Sequence, residues 1–101
     1  MFLRLFLTAV DPADVATLRA LFTDDVLPVY DQLPGCRGIE LAISVDHNAG
    51  GLVEGASVSH WDSREAMEAG IDSRPARESR VRIFELLRQE PVIRVFEIVC
   101  P

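Results

Sequence analysis

The sequence predicts an α+β domain with a ferredoxin-like βαββαβ order, in which a four-stranded antiparallel sheet carries two helices on one face. Three features predict it. Apolar segments rich in Val, Leu, Ile and Phe stand near both ends of the chain, at 2–10 and 92–99. Two further strand-like segments, 38–45 and 52–61, flank a short turn. A helical pattern fills each remaining gap, and a length of 101 residues suits the single domain 1–101.

The two central strands are predicted to form a hairpin. In "GIELAISV" (38–45) large apolar residues alternate with polar or small ones, which is the pattern of a half-buried strand. "DHNAGG" (46–51) contains the Asn and Gly residues that turns require. "LVEGASVSHW" (52–61) is therefore predicted to return beside the first arm.

The first helix is predicted to begin at Asp11. A carboxylate at this position accepts hydrogen bonds from backbone N–H groups, and Pro12 suits the first helical position. Apolar residues then recur at helical spacing from Val15 to Val29. Pro28 removes a backbone donor within this run, so a kink or break is expected just before it.

The second helical segment is predicted to begin at Asp62, which forms a capping-box pattern with Glu65 three residues on. "SRP" at 73–75 has the pattern of a second cap inside the segment. Two helices are therefore expected, the later one running to about Arg88.

The charge of the chain argues against a nucleic-acid partner. Sixteen acidic residues outnumber ten basic ones, giving a net charge of −6 that repels phosphate backbones. All ten basic residues are arginine, so no lysine amine is present for Schiff-base chemistry. Two cysteines and two histidines do not make a convincing metal cluster.

No segment has the length or character of a membrane or targeting element. A membrane span needs about 20 apolar residues, and the apolar start of the chain is interrupted by Arg4. That start also lacks the basic region and cleavage site of a signal peptide. We therefore expect a cytoplasmic protein that does not bind membranes.

The first and last strands carry large apolar residues on both faces. Leu3, Leu5 and Leu7 alternate with Phe2 and Phe6, and the segment 92–99 is similar. Two helices cover only one face of an antiparallel sheet. Each large side chain left in water would forgo roughly 1.5–3 kcal/mol of burial. We therefore expect a homodimer, in which a second copy covers the other face.

Two segments resemble the antibiotic-biosynthesis-monooxygenase-like family of dimeric α+β barrels. They are "LPGCRGIELAIS" (33–44) and "SHWDSREAMEA" (59–69), and with the order of elements the resemblance spans the whole chain. It implies a pocket between sheet and helices in each subunit. In characterised oxygenases of this family, phenolic substrates are oxidised by O2 without metal or flavin. The tryptophan that lines their pocket corresponds to Trp61.

Three positions depart from the family pattern. Gly70 stands where haem-degrading members carry an iron-binding histidine, so no haem is expected. Ser57 replaces an amide of the polyketide-tailoring members, and Met67 replaces a tyrosine. The pocket of those members is therefore not reproduced residue for residue.

Strand alternation places Ser57, Ser59 and Trp61 on one face of the sheet, beside small residues that would leave a void. Either Trp61 forms one wall of a ligand pocket with the two serines, or it fills the core with its N–H paired locally.

Two helices offer charged candidates for the same region. Arg80 falls within the apolar arc that contains Phe84, and Arg77 lies at the edge of that arc. An inward arginine either extends to solvent or pairs with an anion such as a phenolate or enolate. Asp25 falls on the apolar arc of the first helix, where it would pair with Arg80, act as a general base, or be solvated.

Three functions are consistent with these features. The first is a cofactor-independent monooxygenase that oxidises a small hydroxylated aromatic or quinol-type compound with O2. The second is a non-catalytic dimeric barrel that binds a small apolar molecule, and the third is an isomerase or cyclase on the same fold. The first hypothesis assigns catalysis to Trp61 and Arg80. It assigns substrate binding to Ser57, Ser59, Arg77, Phe84 and Asp25.

Overall fold

Four antiparallel strands form one sheet in the order β2-β3-β1-β4. The computed structural model describes the chain from Met1 to Pro101. Its strands are β1 (Phe2–Val10), β2 (Cys36–His47), β3 (Val53–Trp61) and β4 (Val92–Glu97). The helices between them complete the order expected of a ferredoxin-like α+β fold, which is confirmed.

The hairpin of β2 and β3 is held by its turn. The side-chain oxygen of Asn48 accepts hydrogen bonds from the N–H groups of Gly50 at 2.9 Å and Leu52 at 3.0 Å. The register shifts between Ile43 and His47, so β2 runs past its predicted end at residue 45. The predicted hairpin is confirmed, and its first strand is two residues longer at each end than predicted.

The last strand is shorter than predicted. β4 ends at Glu97 rather than at residue 99. Beyond it, the Ile98 N–H still donates to the Met1 carbonyl at 2.8 Å.

The first helical segment begins as predicted, because the Asp11 carboxylate accepts from the Ala13 N–H at 2.9 Å. A short 3-10 turn at Pro12–Asp14 then leads into α1 (Val15–Leu21). The cap therefore satisfies a backbone donor that would otherwise lack a partner.

A wide π turn, Phe22–Val26, follows α1 and leads into α2 (Leu27–Tyr30). The Leu27 N–H donates to the Phe22 carbonyl five residues back. In a regular α-helix the Pro28 ring would collide with the carbonyl four residues before it. The wider turn changes that geometry, so the irregularity predicted before Pro28 is present without a break in the helix.

The cap of the next helix, α3 (Arg64–Asp72), lies one residue later than predicted. The Ser63 hydroxyl accepts from the Ala66 N–H at 3.1 Å. The predicted capping box of Asp62 and Glu65 is therefore wrong. The Asp62 carboxylate instead accepts from the guanidinium of Arg37 at 2.6 Å.

The predicted division of the second helical segment at Ser73 is confirmed, and α4 (Arg74–Ser79) follows it. The segment is broken again before α5 (Val81–Phe84), so the helix predicted to reach Arg88 ends earlier. The backbone after Phe84 pairs with the sheet: the Arg88 N–H donates to the Ala9 carbonyl at 2.8 Å. That pairing draws the chain away from the helix axis.

The two faces of the sheet have different surroundings. One face packs against the helices around a core that includes Val10 and Trp61, both fully buried. On the other face the register places Leu5 opposite Val58, with Val92 and Phe96 on the neighbouring strand. Val92 and Phe96 are about half exposed. This second face is the apolar surface that the sequence predicted.

None of the helices is long and apolar enough to cross a membrane.

Candidate functional site

A cavity lies between the helix-facing side of the sheet and the helices that cover it. It is lined by residues of β1, β2 and β3 and of the segments from α1 to α5. The apolar lining residues are Phe6, Leu18, Phe22, Val26, Ile39, Leu41, Ile83 and Phe84. The remaining lining residues are Arg4, Thr8, Tyr30, Gly55, Ser57, Ser79 and Arg80.

Two aromatic rings form one wall of this cavity. Phe6 on β1 and Phe84 at the end of α5 stack with ring centroids 5.7 Å apart and an interplanar angle of 26°. Phe84 is 45% exposed, so it stands at the rim. The sequence assigned Phe84 to substrate binding, and the structure places it where an entering ligand would contact it.

Arg80 reaches the cavity from the break between α4 and α5. Its backbone has φ −105° and ψ 0°, outside helical geometry. One guanidinium nitrogen donates to the Ile71 carbonyl at 3.2 Å. A guanidinium has five N–H donors, so most of them remain for a ligand. The sequence predicted an inward Arg80, and the structure brings it to the cavity.

Arg4 is a second arginine in the cavity, and the sequence analysis did not select it. It lies on β1, two residues before Phe6, with its guanidinium 5.8 Å from the centroid of that ring. Burial lowers the pKa of Arg4, and the charge of Arg80 lowers it further against the opposing effect of Tyr30. The sequence does contain a sign of this placement, because strand alternation puts Arg4 on the same face of β1 as Phe6.

Tyr30, at the end of α2, contributes the only phenol of the chain. Its ring meets Trp61 edge to face, with centroids 6.2 Å apart. Burial raises the pKa of Tyr30, while the charges of Arg80 and Arg4 act in the opposite direction. The Tyr30 hydroxyl therefore lies within the field of both cavity arginines.

Three hydroxyl groups also line the cavity. Thr8 donates to the Gln89 carbonyl at 3.2 Å and Ser79 to the Ala76 carbonyl at 2.6 Å. Ser57 has no such carbonyl partner and is half-buried. Ser57 therefore lies in the cavity lining, on the face that strand alternation predicted, and its assignment to substrate binding stays a prediction.

Trp61 and Ser59 lie behind the cavity rather than in its wall. Trp61 is 0% exposed and Ser59 is 2% exposed. The indole N–H donates to the Ser59 hydroxyl at 2.9 Å, so each polar group satisfies the other. The expectation that these two residues line the pocket is corrected: strand alternation predicted their face, but the indole fills the end of the core.

Gly70 makes this packing possible. A Cβ atom on Gly70 would lie 2.7 Å from two ring carbons of Trp61. No side chain fits there without a shift of the indole ring, so a histidine at this position would not be accommodated.

Asp25 and Arg77 do not reach the cavity lining. The Asp25 carboxylate forms a bidentate pair with Arg82, with two contacts of 2.8 Å and one of 3.1 Å. The predicted alternative of pairing with Arg80 is therefore wrong, because the π turn and the break at Arg80 change the register. Arg77 is exposed on α4 and faces away from the site.

The structure contains no group of three or more His, Cys, Asp or Glu side chains placed to hold a metal ion. The polar atoms of the cavity are guanidinium nitrogens and hydroxyl oxygens. Because arginine has no acceptor atom and stays protonated, this donor set suits an anionic organic ligand rather than a cation.

No protein-family model matches the sequence, and no curated protein matches it. Solved structures do match the chain. Rv0793 from Mycobacterium tuberculosis is 23% identical with a TM-score of 0.73, over 99% of this chain and 96% of that one.

A structure named antibiotic biosynthesis monooxygenase is 17% identical with a TM-score of 0.74, over 99% of this chain and all of that one. A Bordetella bronchiseptica protein named as a candidate member of the same group is 20% identical. Its TM-score is 0.78 over 98% of this chain and 97% of that one. The chain therefore has the fold of the antibiotic biosynthesis monooxygenase structures.

Proposed function

We propose that the cavity is the active site of a cofactor-independent monooxygenase that oxidises a small hydroxylated aromatic or quinol-type compound with O2. The observation that carries this proposal is Arg80, which presents free N–H donors to an apolar cavity. The fold of structures named antibiotic biosynthesis monooxygenase supports the same assignment.

The proposed chemistry depends on forming a substrate anion. A phenol or quinol bound against Arg80 ionises more readily, because the guanidinium stabilises the oxyanion in a largely apolar site. The electron-rich anion then transfers electrons to O2. The substrate as a whole loses two hydrogen atoms, one from the ring carbon that is oxidised and one from a hydroxyl group, and gains one oxygen atom. The second oxygen atom leaves with these two hydrogens as water, so the four electrons that O2 takes up are balanced.

The other cavity residues have supporting roles in this proposal. Ser57 binds a substrate oxygen, and Phe84 contacts the ring at the rim of the cavity. Trp61 acts from behind, because its contact with Tyr30 holds that phenol in place. The cavity lining includes no carboxylate or imidazole. The substrate proton therefore passes to solvent through the mouth of the cavity.

The same lining bears on the alternative functions. An isomerase or cyclase would use a positioned acid–base pair, and the lining supplies no carboxylate or imidazole for it. A non-catalytic binding protein is favoured by one specific observation, the tight packing of Trp61 in the core. This binding role is our second candidate.

Oxygen consumption separates the two candidates. Purified protein free of metal and flavin is assayed with hydroquinones and catechols. We expect Arg80→Gln to reduce the rate by about 10²–10³-fold, the usual effect of removing one oxyanion donor. Arg64→Gln, on the exposed surface of α3, is the matched control and should keep the full rate. Equal rates in both variants would remove Arg80 from the mechanism. Binding without oxygen uptake would assign the binding role.

The proposed active form is a homodimer in which the second faces of two sheets pack together. The register on this face pairs Leu3 with Phe96 and Leu7 with Val92, while Leu5 lies opposite Arg94. Burial of each such side chain contributes roughly 1.5–3 kcal/mol. A second copy supplies the same apolar surface, which suits a symmetric interface.

A further inference from the structure

Arg4 is the feature of the cavity that the proposed function does not use. Four arginines of the chain form ion pairs, Arg37, Arg64, Arg74 and Arg82, and neither cavity arginine is among them. Arg4 is only partly exposed and lies in a largely apolar surrounding. A cation in such a place costs free energy unless an anion accompanies it.

The chain supplies no carboxylate to the cavity for this purpose. Asp25, on the first helical segment, is bound to Arg82. The charge of Asp72 affects the pKa of Arg4 less than Tyr30 and Arg80 do, and Asp72 is itself exposed. Arg4 and Arg80 repel each other, which a single phenolate on Arg80 would relieve only in part. A second negative group beside Arg4 would relieve the rest.

The size of the cavity limits the ligand. Its volume is about 60 Å³, less than half that of the cavity of about 150 Å³ that holds one benzene. The cavity is open at its rim, where Phe84 is 45% exposed. A single ring with part of its edge at the rim is therefore the largest ring system that fits, and a fused ring system does not.

We infer that the ligand of this cavity is a single-ring hydroxylated aromatic acid, whose carboxylate binds Arg4 while its ring hydroxyl meets Arg80 and Tyr30. The ring lies between Phe6 and the apolar side chains of the helices. This inference rests on the cavity being the ligand site of the proposed function. It assigns to Arg4 a role in specificity that is separate from oxidation.

Binding measured without oxygen tests the inference. The affinities of phenol, of benzoate, and of 2-, 3- and 4-hydroxybenzoate are measured by anaerobic calorimetry. At least one hydroxybenzoate should bind about tenfold or more tightly than phenol, the usual effect of one charge-assisted contact. Arg4→Gln should remove this advantage and leave the affinity for phenol within about twofold. Arg4→Lys, which keeps the charge, should restore part of it.

The controls separate the possible causes of failure. Arg64→Gln should bind every ligand like the unmodified chain, and near-UV circular dichroism checks the fold of each variant. If no hydroxybenzoate exceeds phenol, or if Arg4→Gln keeps the carboxylate advantage, the inference is wrong. If the advantage depends on Arg4 but no ligand supports oxygen uptake, the inference stands and the oxygenase proposal fails.

Discussion

The indole N–H of Trp61 donates a hydrogen bond of 2.9 Å to the hydroxyl of Ser59, and both residues are buried. They lie two positions apart on β3 and therefore point to the same face of the sheet. The bond satisfies two polar groups that water cannot reach. Ser57, two positions further along the same face, lines the cavity instead. β3 therefore contributes residues both to the buried core and to the lining of the cavity.

The two serines should differ in their effect on stability. Ser59→Ala leaves the indole N–H without an acceptor, which costs about 1–3 kcal/mol of unfolding free energy. Ser57→Ala breaks no hydrogen bond and should change it by about 0.5 kcal/mol or less. Urea unfolding followed by far-UV circular dichroism measures both. Equal losses would contradict the assignment of Ser59 to the core.

The contact between Gly70 and Trp61 leads to a second prediction. In Gly70→Ala the new Cβ would lie 2.7 Å from the indole ring. Overpacking of this kind costs about 1–3 kcal/mol. In Gly55→Ala, on β3, the nearest atom is 3.5 Å away, which is ordinary contact. Thermal unfolding should therefore show a lower midpoint for Gly70→Ala and little loss for Gly55→Ala. A stable Gly70→Ala would mean that Trp61 can move.

Alternation and helical spacing were enough to predict the fold and part of the site. The period of two along β3 placed Ser57 correctly, and the helical arc placed Arg80 and Phe84 at the cavity. The same pattern could not place Trp61, because alternation predicts the face of a side chain and not its depth. The depth depends on Gly70, which lies on α3 and leaves space for the ring.

Two assignments failed for local reasons: Arg4 was not selected as a site residue, and Asp25 does not pair with Arg80. Arg4 interrupts an apolar strand and was used only as evidence against a membrane span, although alternation puts it on the same face of β1 as Phe6. The partner of Asp25 depends on the π turn at 22–26, which rotates all later residues relative to a regular helix. It also depends on the break at Arg80. No periodicity in the sequence predicts either irregularity.

Titration of Tyr30 reports the electrostatics of the cavity directly, because the chain has one tyrosine. Burial raises the pKa of Tyr30 above its ordinary value of 10.0, against the lowering effect of Arg80 and Arg4. Tyrosinate absorbance near 295 nm should therefore have a midpoint above 10. Arg80→Gln should raise the midpoint further, whereas Arg64→Gln should not move it. A lower midpoint in Arg80→Gln would contradict the described site.

The sign of the associated stability change follows from proton linkage. The folded chain holds the Tyr30 proton more tightly than the unfolded chain, so this contribution to stability is fully present below pH 10. It decreases as the pH rises from 10 through the pKa of the folded state. Tyr30→Phe lacks this dependence. As the pH rises above 10, the unfolding free energy of the unmodified protein should therefore fall relative to that of Tyr30→Phe.

The pair of Asp25 and Arg82 should be structural and weak. The Arg82 side chain is 63% exposed, so solvent screens the pair despite its bidentate geometry. A double-mutant cycle of Asp25→Asn and Arg82→Gln should give a coupling of less than about 1 kcal/mol. Neither variant should change ligand affinity, since neither residue lines the cavity. A loss of binding in Asp25→Asn alone would restore Asp25 as a site residue.

The second face of the sheet gives the prediction on assembly. Leu5 lies at its centre, opposite Val58 and Arg94. Leu5→Glu places a charge where the proposed partner sheet would pack. Its burial costs free energy even beside Arg94, because both charged groups would lose their water. Sedimentation velocity should give twice the mass of one chain for the unmodified protein and the mass of one chain for Leu5→Glu.

Two further variants keep this test decisive. Phe96→Glu alters the same face at a residue that is already 51% exposed in the single chain, so its own fold should be retained. Ala20→Glu adds the same charge to the exposed surface of α1 and should leave the dimer intact. If Phe96→Glu and Ala20→Glu are both dimers, the second face is not the interface. If only Phe96→Glu is monomeric, its oxygen uptake and ligand affinity show whether one subunit carries a complete site.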